Sequence, residues 1–263
     1  MKKYLVIGNP IEHSLSPLLH NYWIKENSIN AVYKKKQINK DELSNIILKI
    51  KKKEIHGINV TVPFKKVVIP FLDRLSNEAS NTQSVNTIYL DDNKIVGHNT
   101  DIEGFEQSIK VSKFSMINKK ILILGAGGVV PSIIFALNKM NISEILISNR
   151  TKKNAQCLKD LFKNINIIDW GEVPKFDMII NATSVGLKKD DKIDLDFSKI
   201  GKNKFFYDVI YKPSETHFLK TGKRFGNKTV NGKLMFIYQA LGAFKIWHGI
   251  QLNIDNQVLK ILD

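Results

Sequence analysis

The chain has 263 residues, 43% of them apolar, a formal charge of +15 and one cysteine, Cys157. That content fills a full core, arranged as two α/β domains, and a single cysteine excludes intramolecular disulfides and a cysteine-built metal site. No apolar run reaches the roughly 18 residues that span a bilayer, and the lysines are scattered in short runs at 34–36 and 51–53, a general bias toward Lys, Asn and Ile rather than a nucleic-acid-binding patch.

Residues 4–7 form a short apolar run broken by Gly8 and Pro10, so the basic N-terminus reads as a first strand and not as a signal peptide. A helix is expected over 16–25, with Pro17 suited to its first position. A strand at 31–36, an amphipathic helix at 41–51 and a strand at 55–62 follow, the last stopped by Pro63. Asp91-Asp92-Asn93 joins β-runs at 87–90 and 94–98 as a hairpin, and Thr100 with Glu103 frames a capping box that opens the next helix. A second domain begins at 121–124, with strands at 144–148, 166–168, 178–181 and 205–209 and helices in the gaps. A long helix over 234–248 is expected to return to the first domain. Alternating strand and helix predicts an α/β fold with largely parallel sheets.

The strand at 121–124 runs into Gly125-Ala126-Gly127-Gly128, followed by a helix. Glycines at such a turn let backbone N–H groups approach a pyrophosphate at the positive end of a helix. Val130 stands where the dinucleotide fingerprint has Gly or Ala, so the motif by itself is weak. The next strand ends in Ser148-Asn149-Arg150-Thr151, with Lys152 and Lys153 behind. An NAD site offers Asp or Glu there for the ribose 2′-hydroxyl, whereas a guanidinium suits a 2′-phosphate, so the expected cofactor is NADP. Thr151 is equally readable as a plain N-cap, and the two lysines as surface residues.

Polar residues cluster at three other places. Ser14 and Ser16 lie two apart before the first helix, able to grip a carboxylate or hydroxyls, although Ser16 before Pro17 also reads as an N-cap. Asn59 and Thr61 alternate along the third strand, and Lys65 is expected in the first turn of a following helix, where the dipole disfavours its charged form. Asp101 opens the capped helix, whose dipole favours its ionised form. If the two meet, Asp101 orients Lys65 for proton exchange beside a nicotinamide, which points to an oxidoreductase acting on a carbonyl.

The segments GNPIEHSLSPLLHN, NVTVPFK, SVNT, GHNTDIEGF, GAGG, NRT, NATSVG, DVIYKPSET and YQALGAF together resemble the shikimate dehydrogenase family over nearly the whole chain. The resemblance implies an N-terminal α/β substrate domain and a Rossmann-like, doubly wound NADP-binding domain with a deep cleft between them. Residues 1–102 plus 236–263 would form the first and residues 103–235 the second. It implies reversible NADPH-dependent reduction of 3-dehydroshikimate to shikimate, on the way to aromatic amino acids. Lys65 and Asp101 match the catalytic pair, and Ser14, Ser16, Asn59, Thr61, Asn86, Tyr211 and Gln239 match substrate ligands. Gly125, Ala126, Gly127, Gly128, Asn149, Arg150, Thr151, Lys153, Thr183, Val209 and Gly232 match the NADP site. No metal, nucleic-acid or membrane partner is implied, only a small-molecule substrate, in a cytoplasmic monomer or homodimer.

Three departures stand out. Asn154 lies where NADP-using members often have a basic residue, Pro131 where many have arginine, and Gln83-Ser84 replaces a glycine-containing step before Val85. The rival readings are a quinate/shikimate dehydrogenase using NAD, and a noncatalytic nucleotide-binding homologue. Ser14, Ser16 and Arg150 weigh against the first, and an intact Lys65 and Asp101 against the second.

Overall fold

The structure, a computed structural model, describes residues 1–262 apart from 189 and 199. The chain divides into two compact units, Met1–Gly104 with Ile237–Asp263, and Phe105–Phe236.

The first unit opens with β1 (Lys2–Gly8), α1 (Ser16–Glu26), β2 (Ala31–Gln37), α2 (Leu43–Lys51) and β3 (Gly57–Val60). Next come β4 (Arg74–Leu75), α3 (Asn77–Thr82), β5 (Thr87–Asp91), β6 (Lys94–His98) and α4 (Asp101–Ser112), whose last eight residues belong to the second unit. The sheet order is β2-β1-β3-β5-β6-β4, parallel on the β1 side and antiparallel where β5 joins β3 and β6. α2 buries Leu43, Ile46, Ile47 and Ile50, a helical stripe that packs into a core with Ile7, Ile58, Val60 and Ile88. Lys34, Lys35 and Lys36 are exposed on the edge strand β2, where charge discourages pairing with another chain. The expected hairpin is present, with Asp92 at φ 45° and Asn93 at φ 60°, the left-handed pair a two-residue turn requires.

The second unit holds β7 (Lys120–Leu124), α5 (Val130–Asn138), β8 (Glu144–Ser148), α6 (Lys152–Leu161), β9 (Ile165–Ile168), β10 (Met178–Asn181), β11 (Phe205–Asp208), α7 (His217–Arg224) and β12 (Lys228–Val230). Its sheet is parallel throughout, in the order β12-β11-β10-β7-β8-β9. That is the doubly wound dinucleotide-binding order, whose switch point lies between β7 and β10. Ile121, Leu122, Ile123 and Leu124 are all fully buried, as a strand covered on both faces demands.

α8 (Lys233–His248) begins in the second unit and ends in the first, and α9 (Asn256–Ile261) closes the chain. Gly57 lets α8 seat: a Cβ there would collide with the Trp247 indole nitrogen, which donates to the Ile88 carbonyl at 3.2 Å. No helix among the described residues is long and apolar enough to cross a membrane.

Two sequence expectations need correction. The third strand ends at Val60, not 62, because the backbone turns at Thr61 to Pro63. No α-helix follows it: turns carry the chain to a 3-10 segment at Ile69–Phe71, with only isolated bonds such as Val68 N–H to the Phe64 carbonyl. Lys65 therefore sits in a turn, and the helix dipole invoked for it has no helix.

Candidate active site

In the first unit the sequence brings two loops to one place. Lys65 Nζ forms an ion pair with Asp101 Oδ2, and both residues are buried, at 9% and 5% exposure. Asp101 is the first residue of α4, the position expected from sequence. Its backbone N–H donates to Asn99 Oδ1 at 3.1 Å, and Asn99 in turn donates to Thr82 Oγ1 at 2.9 Å. The Lys65 carbonyl accepts from Val85 N–H at 2.9 Å, tying its turn to the segment that carries Asn86. Charge holds the ammonium, and a backbone bond holds the turn that carries it.

Asn86 is the hub of this cluster. Its amide nitrogen faces Thr100 Oγ1 and Asp101 Oδ1, both at 2.9 Å, and Gln239 Oε1 at 3.3 Å. Its side-chain oxygen accepts from the Thr100 N–H at 2.8 Å. Asn59 donates to the Asn86 carbonyl at 3.0 Å and to Thr87 Oγ1 at 3.1 Å, and accepts from the Tyr33 hydroxyl at 2.7 Å. Lys65, Asp101, Asn86, Gln239 and Asn59 are thus linked in one hydrogen-bonded group.

Ser14 and Ser16 precede and open α1. The Ser16 N–H donates to Ser14 Oγ at 3.4 Å. Leu15, not Ser16, occupies the N-cap position of α1, and no side-chain cap bond forms there. Ser16 hydrogen-bonds the buried Tyr33, whose phenol is pushed well above its ordinary pKa by burial, with that hydrogen bond opposing. Thr61 lies just past β3, beside Gly8, where an added Cβ would come within 2.6 Å of its methyl.

Tyr211, grouped by sequence with the substrate ligands, belongs to the second unit and stacks on Phe236 with ring centroids 4.4 Å apart. The other second-unit positions surround the ends of β7, β8, β10 and β11. Gly125 has φ +108°, and a Cβ there would lie 2.9 Å from the Ala182 carbonyl, so only glycine passes this turn between neighbouring strands. Gly127 has open space, with nothing nearer than the Ala182 oxygen at 3.9 Å, which leaves its backbone accessible before α5. Pro131 occupies the first turn of α5, where its missing N–H removes no helix bond. Thr183 follows Ala182, and its hydroxyl donates to Asn181 Oδ1 at 2.7 Å. Gly232 is a close-approach glycine: a Cβ would collide with the Val209 carbonyl oxygen.

At the end of β8, Asn149 Nδ2 donates to the Thr151 carbonyl at 2.8 Å, and Thr151 occupies the N-cap of α6 without a side-chain cap bond. Arg150, Thr151 and Lys153 are exposed, and among the described residues neither Arg150 nor Lys153 makes an ion pair. Lys152 differs: it pairs with Asp169 at 2.5 Å, and that partner raises its pKa. A glycine turn open to backbone approach, a helix start and an uncommitted guanidinium suit a phosphorylated dinucleotide.

Residues 6–88 match the family described as shikimate dehydrogenase substrate binding domain, and residues 108–194 the one described as shikimate / quinate 5-dehydrogenase. The chain belongs to the shikimate dehydrogenase family. A shikimate dehydrogenase (NADP(+)) of Pelagibacter ubique is 59% identical over 262 residues, covering 100% of this chain and 99% of the relative. The crystal structure of the Thermus thermophilus family member with NADP(H) and shikimate superposes at TM-score 0.89 and 27% identity, covering 100% of this chain and 97% of that one. A Listeria monocytogenes member with shikimate and NAD superposes at TM-score 0.90 and 28% identity, covering 100% and 96%. Structures with either dinucleotide share this fold, so the fold alone does not select between them.

Sequence reasoning did not assign roles to Tyr33, Thr87 and Asn99, and read Thr100 only as a helix cap; all four complete the cluster around Asn59 and Asp101. Thr87, Asn99 and Thr100 lie inside quoted motifs and carried a signal in their company. Tyr33 lies in a β-run and looked like any core residue of a half-buried strand.

Proposed function

We propose that this chain reversibly reduces 3-dehydroshikimate to shikimate with NADPH, with Lys65 and Asp101 as its acid/base pair. The buried Lys65–Asp101 pair inside the Asn86 hydrogen-bond cluster is the observation that supports this reading most, in a chain of this family. NADPH, when bound, supplies the hydride. Gly125 to Gly128 and the start of α5 would hold its pyrophosphate, and Arg150 with Thr151 and Lys153 its 2′-phosphate. Thr183, Val209 and Gly232 would line the nicotinamide side.

Reduction turns a planar ketone into an alkoxide that must gain a proton. Lys65 Nζ gives that proton and, while charged, stabilises the negative oxygen as it develops. In oxidation the neutral amine takes the proton back. Asp101 fixes the direction of Nζ and does not itself exchange the proton. Asn86 and Gln239, bonded to each other, set the orientation of the substrate ring, together with Ser14, Ser16, Asn59 and Thr61. The same reading makes residues 1–102 with 236–263 the substrate-binding catalytic domain and 103–235 the NADP domain, in a cytoplasmic monomer or homodimer.

The test is turnover of shikimate by the purified protein with NADP and, in parallel, with NAD. Reduction of NADP at least roughly tenfold faster than of NAD at equal concentration supports the reading and the role of Arg150. Faster reduction of NAD transfers the chain to the quinate/shikimate reading. No reduction of either by folded protein overturns catalysis.

A further inference from the structure

The ends of β10 and β11 carry a buried polar group that the cofactor positions above do not include. Asn181 and Asp208 are register partners on adjacent parallel strands, each the last residue of its strand and each fully buried. Asp208 Oδ1 accepts from Asn181 Nδ2 at 3.1 Å and from the Ile210 N–H at 3.0 Å, and Oδ2 accepts from the Thr216 hydroxyl at 2.6 Å. Asn181 Oδ1 accepts from the Thr183 N–H at 3.1 Å and its hydroxyl at 2.7 Å, and Nδ2 donates also to the Val185 carbonyl at 3.0 Å. Thr216 Oγ1 accepts from the Leu219 N–H at 3.3 Å, capping α7.

Resting on the NADP-dependent reading, we infer that Asp208 is a positioning residue that clamps the Thr183 loop and the Val209–Ile210 turn into one cofactor-binding surface. One carboxylate joins both segments that would flank the nicotinamide. The Thr183 loop is reached through Asn181, the turn through the Ile210 N–H, and the start of α7 through Thr216. Val209 is held a second time, by its N–H to the Asn181 carbonyl at 3.0 Å, and Gly232 packs against it. All three partners of the carboxylate are donors, so only the ionised form satisfies them all. A protonated Asp208 would turn an O–H toward groups that themselves donate, and Thr216 could accept it only by turning its own hydroxyl hydrogen away to another acceptor.

Burial pushes the Asp208 carboxyl up to about 6, and the bonds from Thr216, Ile210 and Asn181 oppose that rise. Among the described residues it makes no ion pair. The titratable groups around it are Tyr207 on its own strand, whose pKa is raised by burial and by Asp208, and His217 on α7, lowered by burial and by Lys192, Arg224 and Lys220. The clamp is therefore set above about pH 6 and loosens below it.

The experiment measures NADP affinity by calorimetry, and KM for NADP and for shikimate, for the full chain and for Asp208→Asn between about pH 5 and 8. At the upper end of that range the variant is expected to bind NADP about tenfold more weakly, the loss of one or two charge-assisted bonds, with KM for shikimate within about twofold. A phosphate monoester also titrates near pH 6, so the decisive reading is the difference between the two proteins. The affinity gap should close as pH falls below about 6. Thr216→Val, which removes one donor and keeps the carboxylate, carries the test if Asp208→Asn does not fold. It should weaken NADP binding about threefold and shift the pH at which affinity falls upward. Equal NADP affinity in parent and variant at high pH, a gap that does not change with pH, or parallel losses for NADP and shikimate would overturn the clamp. A parent that binds NADP but turns over no shikimate would sink the catalytic reading and leave the clamp standing.

Discussion

The two proposed sites, one in each unit, are built on opposite terms. In the first unit Lys65, Asp101, Asn86 and Asn59 are buried and joined in one cluster, in which Lys65 is paired with Asp101 and the other three each have several partners. In the second, Arg150, Thr151 and Lys153 are exposed, and Gly125 to Gly128 present backbone instead of side chains. The contrast follows from the tasks. A proton-exchanging amine must be aimed within a fraction of an ångström, so it is enclosed and braced. A phosphate offers several oxygens and charge in every direction, so a solvated cation and a row of N–H groups recognise it without a rigid cage.

The sharpest way to break this comparison is Lys65→Ala. Turnover should fall about 100- to 10,000-fold with NADP affinity unchanged. Because Asp101 would then be buried without its cation, a stability loss of about 3 kcal/mol or more is expected in thermal unfolding, and assays must be run on protein shown to be folded. A variant with ordinary turnover would remove Lys65 from the chemistry. Arg150→Ala should act on the other site only. KM for NADP should rise about 10- to 100-fold while kcat and the kinetics with NAD stay near the parent values. An equal rise for both dinucleotides would mean Arg150 does not read the 2′-phosphate.

A smaller effect is expected from His20, which lies under the bracing of Asn59. It stacks on Tyr33 with centroids 4.3 Å apart, and neither ring nitrogen has a hydrogen-bond partner among the described residues. Burial first, then His248, lowers its pKa to about 3, and burial with Lys2 lowers that of His248 to about 4. A histidine held neutral in the fold binds fewer protons than in the unfolded chain. Its contribution is complete above about pH 6.5 and is lost as pH falls toward about 3 to 4. Unfolding free energy should drop by about 2 kcal/mol between about pH 7 and 5 from this residue, and His20→Phe should flatten that slope. An unchanged slope would place the acid sensitivity elsewhere. The least effect belongs to Lys152→Ala. That side chain is already engaged by Asp169 at the surface, so KM for NADP should change less than about twofold, in contrast to Arg150.

Gln83 shows how a departure in sequence is absorbed. It stands in place of a glycine-containing step, and its backbone takes φ 48° and ψ 40°, the left-handed conformation that ends α3. A side chain is carried where glycine would be easier, and Val85 and Asn86 still reach their places. Lys65 shows the opposite case. Its partner was legible from two motifs, but its local setting was read as the first turn of a helix following the strand that Pro63 stops. The chain instead turns through 61–68, and only the contact between the Lys65 carbonyl and Val85 N–H reveals what holds it.

By itself the sequence determined the alternating α/β pattern, the glycine turn at 125–128, the basic end of β8 and the ordered polar motifs that mark the family. These are local: each needs only periodicity, a turn preference or a short spacing to be read. Tertiary structure decided that Tyr33 braces Asn59, that Asn86 reaches Gln239 across 153 positions, and that Asp208 meets both Asn181 and Thr216. Those pairings join residues from different elements, and no local preference encodes which buried donor will face which acceptor. Packing and strand register bring them together, and the need to satisfy every buried polar atom then selects the partners.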